Sequence, residues 1–77
     1  MSKFEIQKRE VVEDLAREMR RREVSVAETA AGLEVDPAYL YRCIKAQRSP
    51  SMAVIEKWAG LYGITLKVDI RLSRIPL

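Results

Sequence analysis

Polar and apolar positions follow a helical period as far as Gly63 and a period of two beyond it. From Ser2 to about Arg22, the apolar residues Phe4, Val11, Val12, Leu15, Ala16 and Met19 recur at the three- and four-residue steps of one helix face. Ser2 and Glu5 stand at capping-box spacing. Lys8, Arg9, Glu13, Arg17, Arg20 and Arg21 fall on the other side, which reads as a solvated face. A second, short helix is predicted from Ser25 to about Gly32. Ser25 and Glu28 repeat the capping box, so hydroxyl and carboxylate each accept from an otherwise unpaired N–H at the helix start. Ala27, Ala30 and Ala31 keep this helix thin enough for a neighbour to approach closely. Gly32 supplies a stop signal. A third helix is predicted from Asp36 to about Gln47. Asp36 has the short acceptor of an N-cap, and Pro37 occupies the first helical position, where a missing N–H does no harm. Arg48, Ser49 and Pro50 make a loop, and Ser51 opens a fourth helix reaching about Tyr62. Its inner stripe is Val54, Ile55, Trp58, Ala59 and Tyr62, and Gly63 ends it.

Past Gly63, Ile64, Leu66, Val68, Ile70 and Leu72 alternate with Thr65, Lys67, Asp69 and Arg71, the pattern of a strand. The helical periods upstream leave no second strand for it, and an isolated strand cannot satisfy its backbone groups. Pairing with the same strand of a second copy is therefore expected, with Ile64, Leu66, Val68, Ile70 and Leu72 at the dimer interface. Pro76 discourages further extension. The predicted fold class is mainly α: a four-helix helix-turn-helix domain over 1–63, with its core at about 25–47, and a C-terminal strand and tail over 64–77 that pair across a homodimer.

Composition narrows the function. A chain of 77 residues is one small domain whose core barely offsets the entropy of ordering it. Cys43 is its only cysteine and histidine is absent. No internal disulfide forms, and histidine triads and cysteine-rich zinc sites are excluded. An N-terminus without an apolar leader, and apolar runs too short to span a bilayer, lead to the expectation of a reducing cytoplasm and no membrane partner. No enzyme is expected and no cofactor is called for. The carboxylates are scattered over solvated faces, no glycine loop is present to cradle phosphate, and the usual nucleophile partners are missing.

The net charge of +3 averages two unlike halves. Residues 1–36 carry 7 basic and 9 acidic side chains, whereas residues 37–77 carry 7 basic and 2 acidic ones. From Pro37 to Ile55 there are three cations and no acid. At about 100° per residue, with Leu40 pointing inward, Cys43, Ile44 and Gln47 fall on or near the same side. Ala38, Tyr41, Arg42 and Lys45 fall on the opposite arc, flanked by Pro37 and Tyr39. Arg42 carries the planar fork that meets guanine O6 and N7. Lys45 suits a phosphate or a guanine edge, Tyr41 a thymine methyl or a phosphate, and Ala38 a thymine methyl. Cys43 and Trp58 read as core.

Two capped helices joined by a tight connection are helix-turn-helix anatomy. The stretch from Val24 to Gly63, about 40 of the 77 residues, resembles the Cro/cI-type helix-turn-helix family of phage and bacterial repressors. The resemblance is carried by Ser25, Ala30, Leu33, Val35, Asp36, Leu40, Arg42, Arg48, Pro50, Ser51, Ile55, Trp58, Ala59 and Gly63. Four positions depart from the family pattern. Glu34 replaces the usual turn glycine, Ala46 the glycine before the basic loop, Thr29 the leucine before the buried alanine, and Val26 a frequent phosphate-binding glutamine. A left-handed Glu34 would cost about 1 kcal/mol. The resemblance implies a sequence-specific DNA-binding transcriptional regulator, most simply a repressor, that binds a palindromic operator on double-stranded DNA as a homodimer. It places Pro37, Ala38, Tyr41 and Arg42 where family members read bases, with Lys45 added by its position on the same arc. It places Ser25, Gln47, Arg48 and Ser49 where they hold backbone phosphate. Two other readings remain open: an antitoxin that binds a toxin protein and represses its own operon, and an adaptor that binds no DNA.

Overall fold

The computed structural model describes residues 3–64. Four helices make up this part: α1 (Lys3–Arg22), α2 (Val26–Leu33), α3 (Pro37–Ile44) and α4 (Met52–Leu61). No strand is present among the described residues. Ser2 and the alternating segment, apart from Ile64, lie outside them. α2 packs on both α3 and α4, and α1 lies across the same two helices.

The helix starts follow local chemistry. Ser25 Oγ accepts the Glu28 N–H at 3.0 Å while Glu28 Oε1 accepts the Ser25 N–H at 2.8 Å, closing the capping box. Asp36 Oδ1 accepts from the Ala38 N–H at 2.7 Å, with Pro37 in the first turn. Ser51 Oγ accepts from the Val54 N–H at 3.2 Å.

The helix ends share one device. Each of the four stops at a left-handed residue: Glu23 (φ 58°), Glu34 (φ 61°), Ala46 (φ 65°) and Gly63 (φ 70°). At every one of them the backbone closes a Schellman motif. Val24 N–H reaches Met19 O, Val35 N–H reaches Ala30 O, Gln47 N–H reaches Arg42 O and Ile64 N–H reaches Ala59 O, at 2.8–3.1 Å. This geometry moves two predicted ends. α2 runs one residue past Gly32 because its turn is made at Glu34, and α3 stops at Ile44 rather than near Gln47 because the chain turns at Ala46. Gly32 is helical instead, and a Cβ there would stand 3.0 Å from the Leu61 side chain, so its bareness lets α4 lie close to α2.

The core is built from Val12, Leu15 and Met19 of α1, Ala30 and Leu33 of α2, Leu40 of α3, and Ile55, Trp58 and Ala59 of α4. Cys43 and Trp58 are fully buried, as the helical wheels require. Thr29, one of the four positions that depart from the family pattern, is buried too. Its hydroxyl lies 2.9 Å from the Tyr62 hydroxyl, which also accepts the Trp58 Nε1–H at 3.3 Å. The three polar atoms satisfy one another, so the hydroxyl enters the core without a lost hydrogen bond.

On the outer face of α1, Glu18 accepts from Arg21 and Arg22. Those bonds hold its carboxyl well below the usual range, at about 2. A depressed carboxyl stabilises above its unfolded pKa and loses that contribution as pH falls through the folded value. Glu18 is thus expected to stay ionised far into the acid range. An NMR carboxyl titration with an ordinary glutamate midpoint would contradict the paired geometry.

Candidate nucleic-acid interface

The outward face of α3 matches the wheel. Pro37, Ala38, Tyr41, Arg42 and Lys45 are exposed, Tyr39 and Ile44 are half-buried, and Leu40 and Cys43 face the core. Tyr41 is 51% exposed, high for an aromatic side chain that is not held in a core. Lys45 Nζ lies 5.6 Å from the centre of the Tyr41 ring, and the Arg48 guanidinium lies 5.4 Å from that of Tyr39, both within cation–π range. Each tyrosine thus steadies one cation at the end of α3. The Arg42 side chain has no hydrogen bond or ion pair among the described residues, so its fork is free to meet another molecule. Tyr39 is tied inward. Burial pushes its hydroxyl pKa up. Burial likewise raises the Cys43 thiol, so it stays protonated and quiet.

The residues expected to hold phosphate divide. Gln47 and Arg48 are exposed on the turn after α3. Ser49 is exposed, but its hydroxyl donates to Glu5 Oε1 at 3.1 Å. Ser25 sits at the start of α2 with its hydroxyl oxygen committed to Glu28, whose carboxylate brings negative charge to the same helix end. Ile64 packs against the core of its own chain, while Leu66, Val68, Ile70 and Leu72 lie outside the described residues.

The largest departure from the sequence reading is on α1. Lys8 and Arg9 do not belong to a solvated face. Lys8 Nζ donates to Pro50 O at 3.0 Å, and Arg9 Nη1 and Nη2 donate to Cys43 O and Ile44 O at 2.8 and 2.9 Å. A guanidinium placed over the last carbonyls of α3 completes hydrogen bonds that the helix end leaves open and sits favourably in its dipole. A pocket of about 250 Å³ lies alongside, between α1 and the turn, lined by Glu5, Lys8, Arg9, Val12 and residues 46–50. These links span 34 to 44 positions along the chain, and no local pattern announces them.

Among the described residues, no helix is long and apolar enough to cross a membrane and no cluster of three metal-ligating side chains occurs. Comparison with known protein-family models, with curated proteins and with solved structures gives no match.

Proposed function

We propose that this chain is a sequence-specific DNA-binding regulator of helix-turn-helix type. Within that class, the reading is a Cro/cI-like repressor acting as a homodimer. The observation that carries it is the outward face of α3, where Tyr41, Arg42 and Lys45 are exposed, Arg48 stands just beyond, and no acidic residue occurs from Pro37 to Ile55. On this reading α3 enters the major groove. Arg42 binds guanine O6 and N7, Ala38 and Tyr41 line the path of thymine methyl groups, and Lys45 takes a base edge or a phosphate. Gln47 and Arg48 grip the backbone, aided by the start of α4. Ser49 is a weaker phosphate contact than the resemblance implies, because Glu5 already occupies its hydroxyl. The alternating segment 64–72 joins two copies, so two α3 helices meet half-sites about one helical turn apart, roughly 34–36 Å. Repression follows by occupying the site a polymerase needs.

Paired substitutions test the assignment of roles. Arg42→Ala should cost about 1–3 kcal/mol of binding and relax preference at one position of each half-site. Arg48→Ala should weaken binding on every sequence alike and flatten the dependence of log K on log salt by about one unit. Mobility shifts across a salt series separate the two. A uniform loss from Arg42→Ala would contradict base readout by that residue.

A further inference from the structure

We propose that Arg9 is a positioning residue that fixes the angle at which α3 and the following turn meet DNA. The inference rests on the DNA-binding reading and adds to it a residue on the far side of α3 that touches no DNA.

Three of the four Schellman turns are locked by an apolar residue just past the turn: Val24, Val35 and Ile64, all packed against the core. After α3 that position is Gln47, which is exposed. The end of α3 therefore lacks the hydrophobic contact that anchors the other three. Arg9 takes its place. Its two terminal nitrogens hold Cys43 O and Ile44 O, while its Nε donates to Glu13 Oε2 at 3.2 Å, one turn further along α1. A planar fork gripped on both sides has one orientation, which a flexible ammonium does not reproduce. α3 has only eight residues. A shift of its C-terminal turn carries Lys45 and Arg48 with it and tilts Arg42 one turn back.

The test uses the full chain with Arg9→Lys, which keeps the charge and loses the fork. Arg22→Lys is the control, because Arg22 Nη2 donates to Tyr62 O at 2.9 Å at the end of α4 and so has like chemistry away from α3. Each protein is bound to the best sequence selected from random duplex DNA and to unrelated duplex, and amide hydrogen exchange is read residue by residue. Arg9→Lys is expected to bind the selected sequence about tenfold more weakly, the scale of one lost base contact. Its binding to unrelated duplex and its salt dependence should match those of the unchanged protein. Exchange should quicken at Ala46 and Gln47 and hold steady across α2 and α4, and Arg22→Lys should leave selectivity unchanged. Unchanged selectivity and exchange in Arg9→Lys overturns the proposal, as does an equal loss of selectivity in Arg22→Lys. If the unchanged protein selects no sequence, the DNA-binding reading falls by itself. Quickened exchange confined to Ala46 and Gln47 would then still assign the clamp, and steady exchange would overturn both.

Discussion

Trp58→Ala is expected to remove about half of the protein's stability and to move its urea midpoint far down. Trp58 is fully buried in the middle of α4 and belongs to a core shared by all four helices. Removing a buried indole costs about 3–5 kcal/mol through lost transfer energy and the cavity left behind. A domain of this size has only about 5–10 kcal/mol in total. The substitution also strips the Nε1–H from the Tyr62 hydroxyl, which keeps Thr29 as its remaining partner. Trp58→Phe keeps an aromatic ring and loses that donor, so it should stay folded with a smaller loss, about 1–2 kcal/mol. Urea unfolding followed by circular dichroism reads both. A midpoint for Trp58→Ala near that of the unchanged protein would mean that Trp58 does not hold the helices together.

The triple substitution Glu23→Gly, Glu34→Gly and Ala46→Gly should do the opposite. Each residue is left-handed, which costs a side chain with a Cβ about 1–2 kcal/mol. Glycine removes that strain but gives back about 0.5–1 kcal/mol through its freer unfolded chain. The turns sit at three different helix ends, so their effects should add, for a net gain of about 2 kcal/mol. The link from Lys57 Nζ to Glu34, 3.5 Å long and exposed, is worth little against this. For a domain this small, the gain is a rise in Tm of roughly 10 °C. No rise would show that the turns relax without strain when they carry Glu and Ala.

Features that depend on near neighbours in sequence were legible. The Ser25–Glu28 box, the Asp36–Pro37 start and the Ser51 cap involve groups within three residues of each other, and all three form. The division of α3 into a buried side with Leu40 and Cys43 and an exposed side with Tyr41 and Arg42 follows from helix period alone. The resemblance implies glycine at the positions of Glu34 and Ala46, and a left-handed turn is expected from it at Glu34 alone; Ala46 and Glu23 are left-handed as well. What stayed hidden was the long-range polar chemistry. A helical wheel at about 100° per residue sets Lys8 among the apolar positions of α1 and Arg9 at their edge, but it does not show that the end of α3 crosses there. Thr29 departs from the family pattern, and the partner that accommodates its hydroxyl, Tyr62, lies 33 positions away. The expected strand depends on a second copy of the chain, which no intrachain pattern fixes.

The central claim is that the outward face of α3 reads DNA sequence in pairs. Selection of bound duplexes from a random pool by the full chain at physiological salt tests it most directly. The claim predicts an enriched motif of two inverted half-sites about one helical turn apart, with a strongly preferred guanine in each that Arg42→Ala relaxes. A bound pool no different in sequence from the starting pool would contradict it.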